Sequence, residues 1–178
     1  MIVDAVIPLI LEHGRDVTTR QIADEAGIAE GTVFRAFGDK DSIIQAAVDK
    51  FLDPAPLRDA LRSIDPDLSL EQKVGDILFH LRARFTGIIG IMSAIGMTGR
   101  PPGHGARNDF AELVAEVLVS EAPRLRIEPS RVAYLVRLIA FASSIGPFND
   151  SHPFSTEELA DIIVHGIAAR PDRPDHEE

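Results

Sequence analysis

Residues 17–40, Val17-Thr-Thr-Arg-Gln-Ile-Ala-Asp-Glu-Ala-Gly-Ile-Ala-Glu-Gly-Thr-Val-Phe-Arg-Ala-Phe-Gly-Asp-Lys40, leave the backbone little choice. Thr18 is a helix N-cap, and Gln21 three residues on completes a capping box, in which each residue satisfies a backbone N–H of the other. Ile22 and Ala23 give this helix a buried side. Gly27 suits the left-handed conformation of a sharp turn. A second helix from about Glu30 to Phe37 puts Val33 and Phe37, four apart, on one face that can lock to a core. Glu30, Gly31, Thr32 and Arg35 then lie on or near the other face. Helix, glycine turn and helix in so short a span fit a helix-turn-helix.

The rest of the chain reads as all-α, with about nine helices. Helix 1 covers about Ile2–His13, and Pro8 inside it predicts a kink or a later start. Asp39 caps a fourth helix from Lys40 to about Leu52, after which Pro54 and Pro56 break the chain. A short helix follows over Leu57–Ile64. Ser69 with Gln72 opens a long apolar helix from about Leu70, where Gly87 and Gly90 suggest a kink. Residues 98–105 are a glycine- and proline-rich loop. Helix 7 is expected over about Arg107–Glu121, and helix 8 over about Ser130–Ile145 with Pro129 in its first turn. After a loop over Gly146–Phe154, Ser155 with Glu158 opens helix 9 to about Ala169. The division expected is residues 1–52, residues 53–170, and an acidic tail, 171–178, read as disordered.

Several classes of function are excluded by what the residues lack. The chain has 178 residues and no cysteine, which removes disulfides and thiolate chemistry. No basic-plus-apolar leader opens it. Apolar stretches such as Thr86–Met97 are too short and too glycine-rich to cross a bilayer, so no membrane partner is expected. His80, His104, His152 and His165 have no metal-ligand spacing, so no metal site is read. No nucleophile elbow, phosphate loop or paired-carboxylate motif occurs, so neither an enzyme nor a cofactor is indicated.

The run Thr19-Arg-Gln-Ile-Ala-Asp-Glu-Ala-Gly, then Gly31-Thr-Val-Phe-Arg-Ala-Phe, then Asp39-Lys-Asp-Ser-Ile-Ile resembles the N-terminal domain of TetR-type transcriptional repressors over roughly residues 2–51. The resemblance implies a three-helix DNA-binding domain followed by a helical ligand-binding and dimerisation bundle. It implies double-stranded DNA contacts from Thr18, Thr19, Arg20, Glu30, Gly31, Thr32, Phe34, Arg35 and Lys40. Thr19, Arg20 and Lys40 would grip phosphates. Arg35 would either pair with guanine O6 and N7 or hold a phosphate. Thr32 would donate to a phosphate or touch a thymine methyl, and Gly31 permits close approach. Glu30 either accepts from a cytosine amino group or is a solvated first-turn acid favoured by the helix dipole. Phe34 stands where the family often has a tyrosine that bonds a phosphate, and Ala29 where a serine often caps helix 3. The family's longer, often basic N-terminal arm has no counterpart here, through truncation or through loss of its contacts.

Charge argues the other way. The net charge is −10, and residues 1–52 hold five basic residues against nine acids. Non-specific, salt-driven affinity for nucleic acid should therefore be weak.

Helix 8 is apolar nearly all round, and Leu159, Ile162, Ile163 and Ile167 form a stripe on helix 9. Intramolecular core explains these patterns as well as an interface does. The resemblance implies the interface of a homodimer, through Val132, Leu135, Val136, Ile139, Leu159, Ile162, Ile163 and Ile167. It also implies an effector pocket for a small apolar or aromatic ligand. Phe79, Phe85, Met92, Phe110, Tyr134 and Phe141 are its candidate lining, with Ser93, His104, Asn108, Ser143 and Ser144 as polar groups. The function so implied is a cytoplasmic repressor released from a palindromic operator by that ligand. The alternatives are a dimeric regulator without an inducer, an activator, and a small helical enzyme.

Overall fold

A computed structural model of the chain describes residues 2–97, 109–146 and 153–167. The 98–105 loop, most of the loop after helix 8 and the 171–178 tail lie outside the described residues. Nine α-helices occur among the described residues: α1 Ile2–His13, α2 Thr19–Ala26, α3 Glu30–Phe37, α4 Lys40–Leu52, α5 Ala55–Arg62, α6 Leu70–Ala94, α7 Phe110–Val117, α8 Pro129–Ala142 and α9 Thr156–Ile167.

The described residues divide into two units, 2–54 with 86–97, and 55–85 with 109–146 and 153–167. A single boundary after residue 52 therefore misses a return of the chain. In unit 1, Val6 and Ile10 of α1, Ile22 and Ala23 of α2, Val33 of α3, and Ile43, Ile44, Ala47 and Val48 of α4 share one core with Ile91 and Ile95. Each isoleucine fully removed from water contributes roughly 1.5–3 kcal/mol. In unit 2, Leu70, Val74, Ile77, Leu78 and Leu81 of α6 pack with Leu113 and Val114 of α7, Val132, Ala133 and Val136 of α8, and Leu159 and Ile163 of α9.

A charged group sits inside unit 2. Lys73 of α6 is 1% exposed, and its Nζ donates to Ser120 Oγ at 2.9 Å and to Glu121 Oε1 at 3.0 Å. Arg124 Nη1 donates to the other oxygen, Glu121 Oε2, at 2.8 Å. Every polar end in this cluster is thus partnered, as burial of charge requires. The Lys73 hydrogen bond and charge hold the Glu121 carboxyl below its usual range.

Several sequence expectations are corrected. α1 starts at Ile2 and continues through Pro8, not after it. α5 starts two residues early, at Ala55. α7 ends at Val117, and a 3-10 segment over Val119–Arg124 takes over, with Pro123 unable to supply a helical N–H. α8 ends at Ala142, where the Ser143 and Ser144 hydroxyls donate back to the Ala140 carbonyl at 3.2 and 2.7 Å. α6 runs as one 25-residue helix through Gly87 and Gly90. Gly87 makes room instead: a Cβ there would lie 2.6 Å from Phe51 Cζ. The apolar stretch at 86–97 thus contains the last turns, to Ala94, of a helix that matches a membrane span in length and composition. Its apolar side chains line two cores, and Lys73 lies within it.

Candidate nucleic-acid interface

The capping box forms as the residues dictate. The Thr18 amide donates to Gln21 Oε1 at 2.8 Å, and the Gln21 amide donates to Thr18 Oγ1 at 3.2 Å. α2 closes at Gly27, whose φ of 66° lets its N–H reach the carbonyls of Ala23 and Asp24. Two residues later Ala29 takes the N-cap position of α3 and makes no side-chain cap bond. Val33 anchors α3 with no exposure, and Phe37 packs against the same core. Asp39 Oδ1 then accepts the Ser42 amide at 2.7 Å to start α4. That bond holds the Asp39 carboxyl below its usual range.

The anchoring of Val33 turns one face of α3 outward. Glu30, Gly31, Phe34 and Arg35 are exposed on it, and Thr32 is half-buried. Arg20, near the start of α2, is exposed and Thr19 half-buried. The Arg35 Nε donates to the Gly31 carbonyl at 3.3 Å within its own helix, and the residue is exposed. Phe34 is 48% exposed and brings an apolar ring to a face that is otherwise polar. Ordered donors and a close-approaching backbone at Gly31 are what a helix needs to meet base edges and phosphates.

Three contacts here are not readable from spacing. Thr19 Oγ1 donates to Glu30 Oε1 at 2.5 Å, joining the start of α2 to the start of α3. Lys40 Nζ donates to the Arg15 carbonyl at 2.7 Å. Arg15 Nε donates to the Ile95 carbonyl at 2.9 Å. Their partners are 11, 25 and 80 residues apart, so no local pattern signals them. The basic residues of unit 1 are also less available than their number suggests. Lys50 pairs with Asp4 at 2.6 Å, which draws the Asp4 carboxyl down to about 2. Arg20 and the outer end of Arg35 are the cations best placed for a polyanion.

The dimer and pocket candidates scatter. Val132, Val136, Leu159 and Ile163 are buried in the core of unit 2, and Leu135 and Ile139 are packed against it. Four of these are buried in their own chain, and Leu135 and Ile139 keep partial exposure. Among the members of the proposed set whose burial is described, Ile162 alone is open, at 54% exposure; Ile167 ends α9. The open apolar residues on α8 are Tyr134, Leu138 and Phe141. Because α8 is apolar all round, its sequence pattern could not say which side turned in. Phe79 and Tyr134 are more than half exposed and do not line an interior. Met92 belongs to unit 1. Phe85 and Phe110 pack against the unit 2 core, and Phe85 meets Phe141 edge to face at 5.3 Å. Ser93 is exposed, the Ser143 and Ser144 hydroxyls are tied to Ala140, and His104 and Asn108 lie outside the described residues. An open groove of about 690 Å³ lies between α6 and α9. Glu71, Asp76, Glu157 and Asp161 line it together with Leu68, Phe79 and Ala160, so it combines acidic groups with an apolar lining.

Residues 2–47 match the family model for bacterial regulatory proteins of the tetR family. No curated protein matches the chain. Among solved structures, a TetR transcriptional regulator from Streptomyces coelicolor is 23% identical with a TM-score of 0.56, over 94% of this chain and 96% of that one. A transcriptional regulator from Rhodococcus sp. Rha1 is 18% identical with a TM-score of 0.61, over 96% and 97%. A ketosteroid transcriptional regulator of Mycobacterium tuberculosis is 16% identical with a TM-score of 0.55, over 95% and 94%. At these identities the likeness is one of fold.

Proposed function

We propose that the chain is a DNA-binding transcriptional regulator of the TetR kind, a homodimeric repressor acting in the cytoplasm on a palindromic operator, because residues 2–47 match the family model for bacterial regulatory proteins of the tetR family. The observation that carries this reading is the outward face of α3, with Glu30, Gly31, Phe34 and Arg35 exposed around a buried Val33. Arg35 reads a base, and Thr19, Arg20, Thr32 and Lys40 hold the backbone. Lys40 keeps two protons for a phosphate beyond the one it gives Arg15.

A two-fold operator needs two readers. The exposed Tyr134, Leu138 and Phe141 of α8, at helical spacing, and Ile162 of α9 supply an apolar surface with which a second copy would pair. Leu138→Glu is expected to leave the chain folded and to shift sedimentation from dimer to monomer.

Release by an effector is the finer part of the proposal. A small apolar or aromatic ligand would enter unit 2 beside Phe85 and Phe110. The ketosteroid regulator of like fold supports that ligand class. The ligand must bind the released state more tightly than the DNA-bound state, and a coupling of ~1–3 kcal/mol is typical. Equal affinity for the effector with and without operator would refute the switch.

The direct test is selection from random duplex DNA at ~100 mM salt with wild type and Arg35→Ala side by side. Enrichment of an inverted repeat by wild type, relaxed or lost in the variant, is expected. Enrichment of nothing by wild type would overturn the repressor reading.

A further inference from the structure

We propose that Glu30 is an intramolecular stand-in for a DNA phosphate, which lowers the affinity of the reader by holding the Thr19 hydroxyl until a phosphate displaces it. The inference rests on the DNA-binding reading above. Thr19 is the first residue of α2, where unpaired backbone N–H groups favour an anion. Its hydroxyl is the side-chain donor that a phosphate there would take. In this structure the hydroxyl already donates to a carboxylate, Glu30 Oε1 at 2.5 Å. The acceptor is an anionic oxygen, as a phosphate oxygen would be, and it comes from the first turn of the helix that faces the groove.

The contact cannot survive a phosphate at the same hydroxyl, because the hydroxyl has one proton to give. Any phosphate approaching Thr19 also meets the Glu30 charge. The contact thus costs affinity in two ways, by occupying the donor and by repelling its natural partner. Such a device suits a unit in which two further cations already have partners, Lys40 on the Arg15 carbonyl and Lys50 on Asp4. A phosphate held well enough to displace Glu30 is rewarded, and a loosely placed one is not. Glu30 thereby widens the gap between a fitted operator and arbitrary duplex.

The test measures equilibrium binding to the duplex enriched by wild type or, failing that, by Glu30→Ala, and to a scrambled duplex. Wild type, Glu30→Ala, Glu30→Gln and Glu25→Ala are compared at ~100 mM salt. Glu25 is an exposed acid of α2, so it controls for bulk charge. Glu30→Ala is expected to bind the enriched duplex about tenfold more tightly, as for loss of a charge-assisted contact. The gain on scrambled duplex should be larger still, and Glu25→Ala should gain under about threefold. Thr19→Val adds the decisive arm. It should weaken binding by less than about twofold in the wild type and by about fivefold in the Glu30→Ala background, where the hydroxyl is free for a phosphate. Glu30→Gln should fall between, because an amide oxygen still accepts but carries no charge. Weaker binding by Glu30→Ala would make Glu30 a positioning or base-reading residue and overturn the proposal, as would equal gains from Glu25→Ala and Glu30→Ala. If wild type and Glu30→Ala both enrich no duplex, the DNA-binding reading fails, and the proposal with it. If wild type binds and Glu30→Ala matches it, only the proposal fails.

Discussion

Unit 1 and unit 2 place their strongest polar contacts at opposite depths. In unit 1 these contacts lie on the surface: Thr18 with Gln21, Thr19 with Glu30, Asp4 with Lys50, and Asp39 with the Ser42 amide. In unit 2 the Lys73–Glu121 pair is inside, with Ser120 and Arg124 completing its hydrogen bonds. Water can replace any of the first set, so each contributes little to folding and remains exchangeable with a ligand. Water cannot replace the second, so its loss strands a charge. The proposed reader, which would trade partners with DNA, is built from the first kind. A core that must stay in one arrangement can hold the second.

The sharpest way to break this contrast is to remove one end of the buried pair. Lys73→Ala or Glu121→Ala is expected to cost about 3–5 kcal/mol by urea unfolding. Lys73→Met with Glu121→Met should recover most of that loss, because no charge is then left without a partner. If the single variants cost no more than a surface pair, the contrast fails. The apolar anchor of the reader comes next. Ile22→Ala empties a site with no exposure and should cost about 2–4 kcal/mol, with a parallel loss of DNA binding as α2 loosens. Thr18→Ala removes one half of a surface capping box and should cost only about 1 kcal/mol in the same assay.

The smallest effect is a slope with pH. The folded pKa of Glu121 is depressed, first by the hydrogen bond from Lys73. Its contribution is therefore fully present above the ordinary glutamate value and is lost as pH falls through the depressed one. Urea midpoints of wild type should decline from about pH 5 downward. Glu121→Gln, weaker at neutral pH, should decline less over the same range. Parallel curves would show that the pair does not titrate with folding.

What spacing could show of this molecule was local. The three capping boxes, at Thr18, Ser69 and Ser155, each pair residues three apart, and all three form. The bounds of α2, α3 and α4 follow from those caps and from Gly27 and Asp39. Contacts between distant residues carried no such signal. Lys73 and Glu121 are 48 apart, and no local pattern pairs them. The side of α8 that turns inward was ambiguous because apolar residues ring the helix, so Val132 and Val136 went to the core while Tyr134 and Leu138 stayed outside. At the candidate interface, helical spacing put Glu30 and Arg35 on or near the outer face of the second helix, and the family resemblance marked Thr19. Neither could mark the bond between Thr19 and Glu30, which exists only once the turn at Gly27 brings the helix starts together.

The return of residues 86–97 to unit 1 bears on how such proteins are recombined. Ile91 and Ile95, near the far end of α6, complete a core otherwise drawn from residues 6–52. Unit 1 is therefore not one uninterrupted stretch of gene. A chimera joined after residue 54, with another regulator's segment behind it, would inherit a foreign filling at those two positions. Grafts that carry residues 86–97 along with the head would keep the native one. Crossovers between relatives should be tolerated inside α5 or α7 far better than inside the last turns of α6.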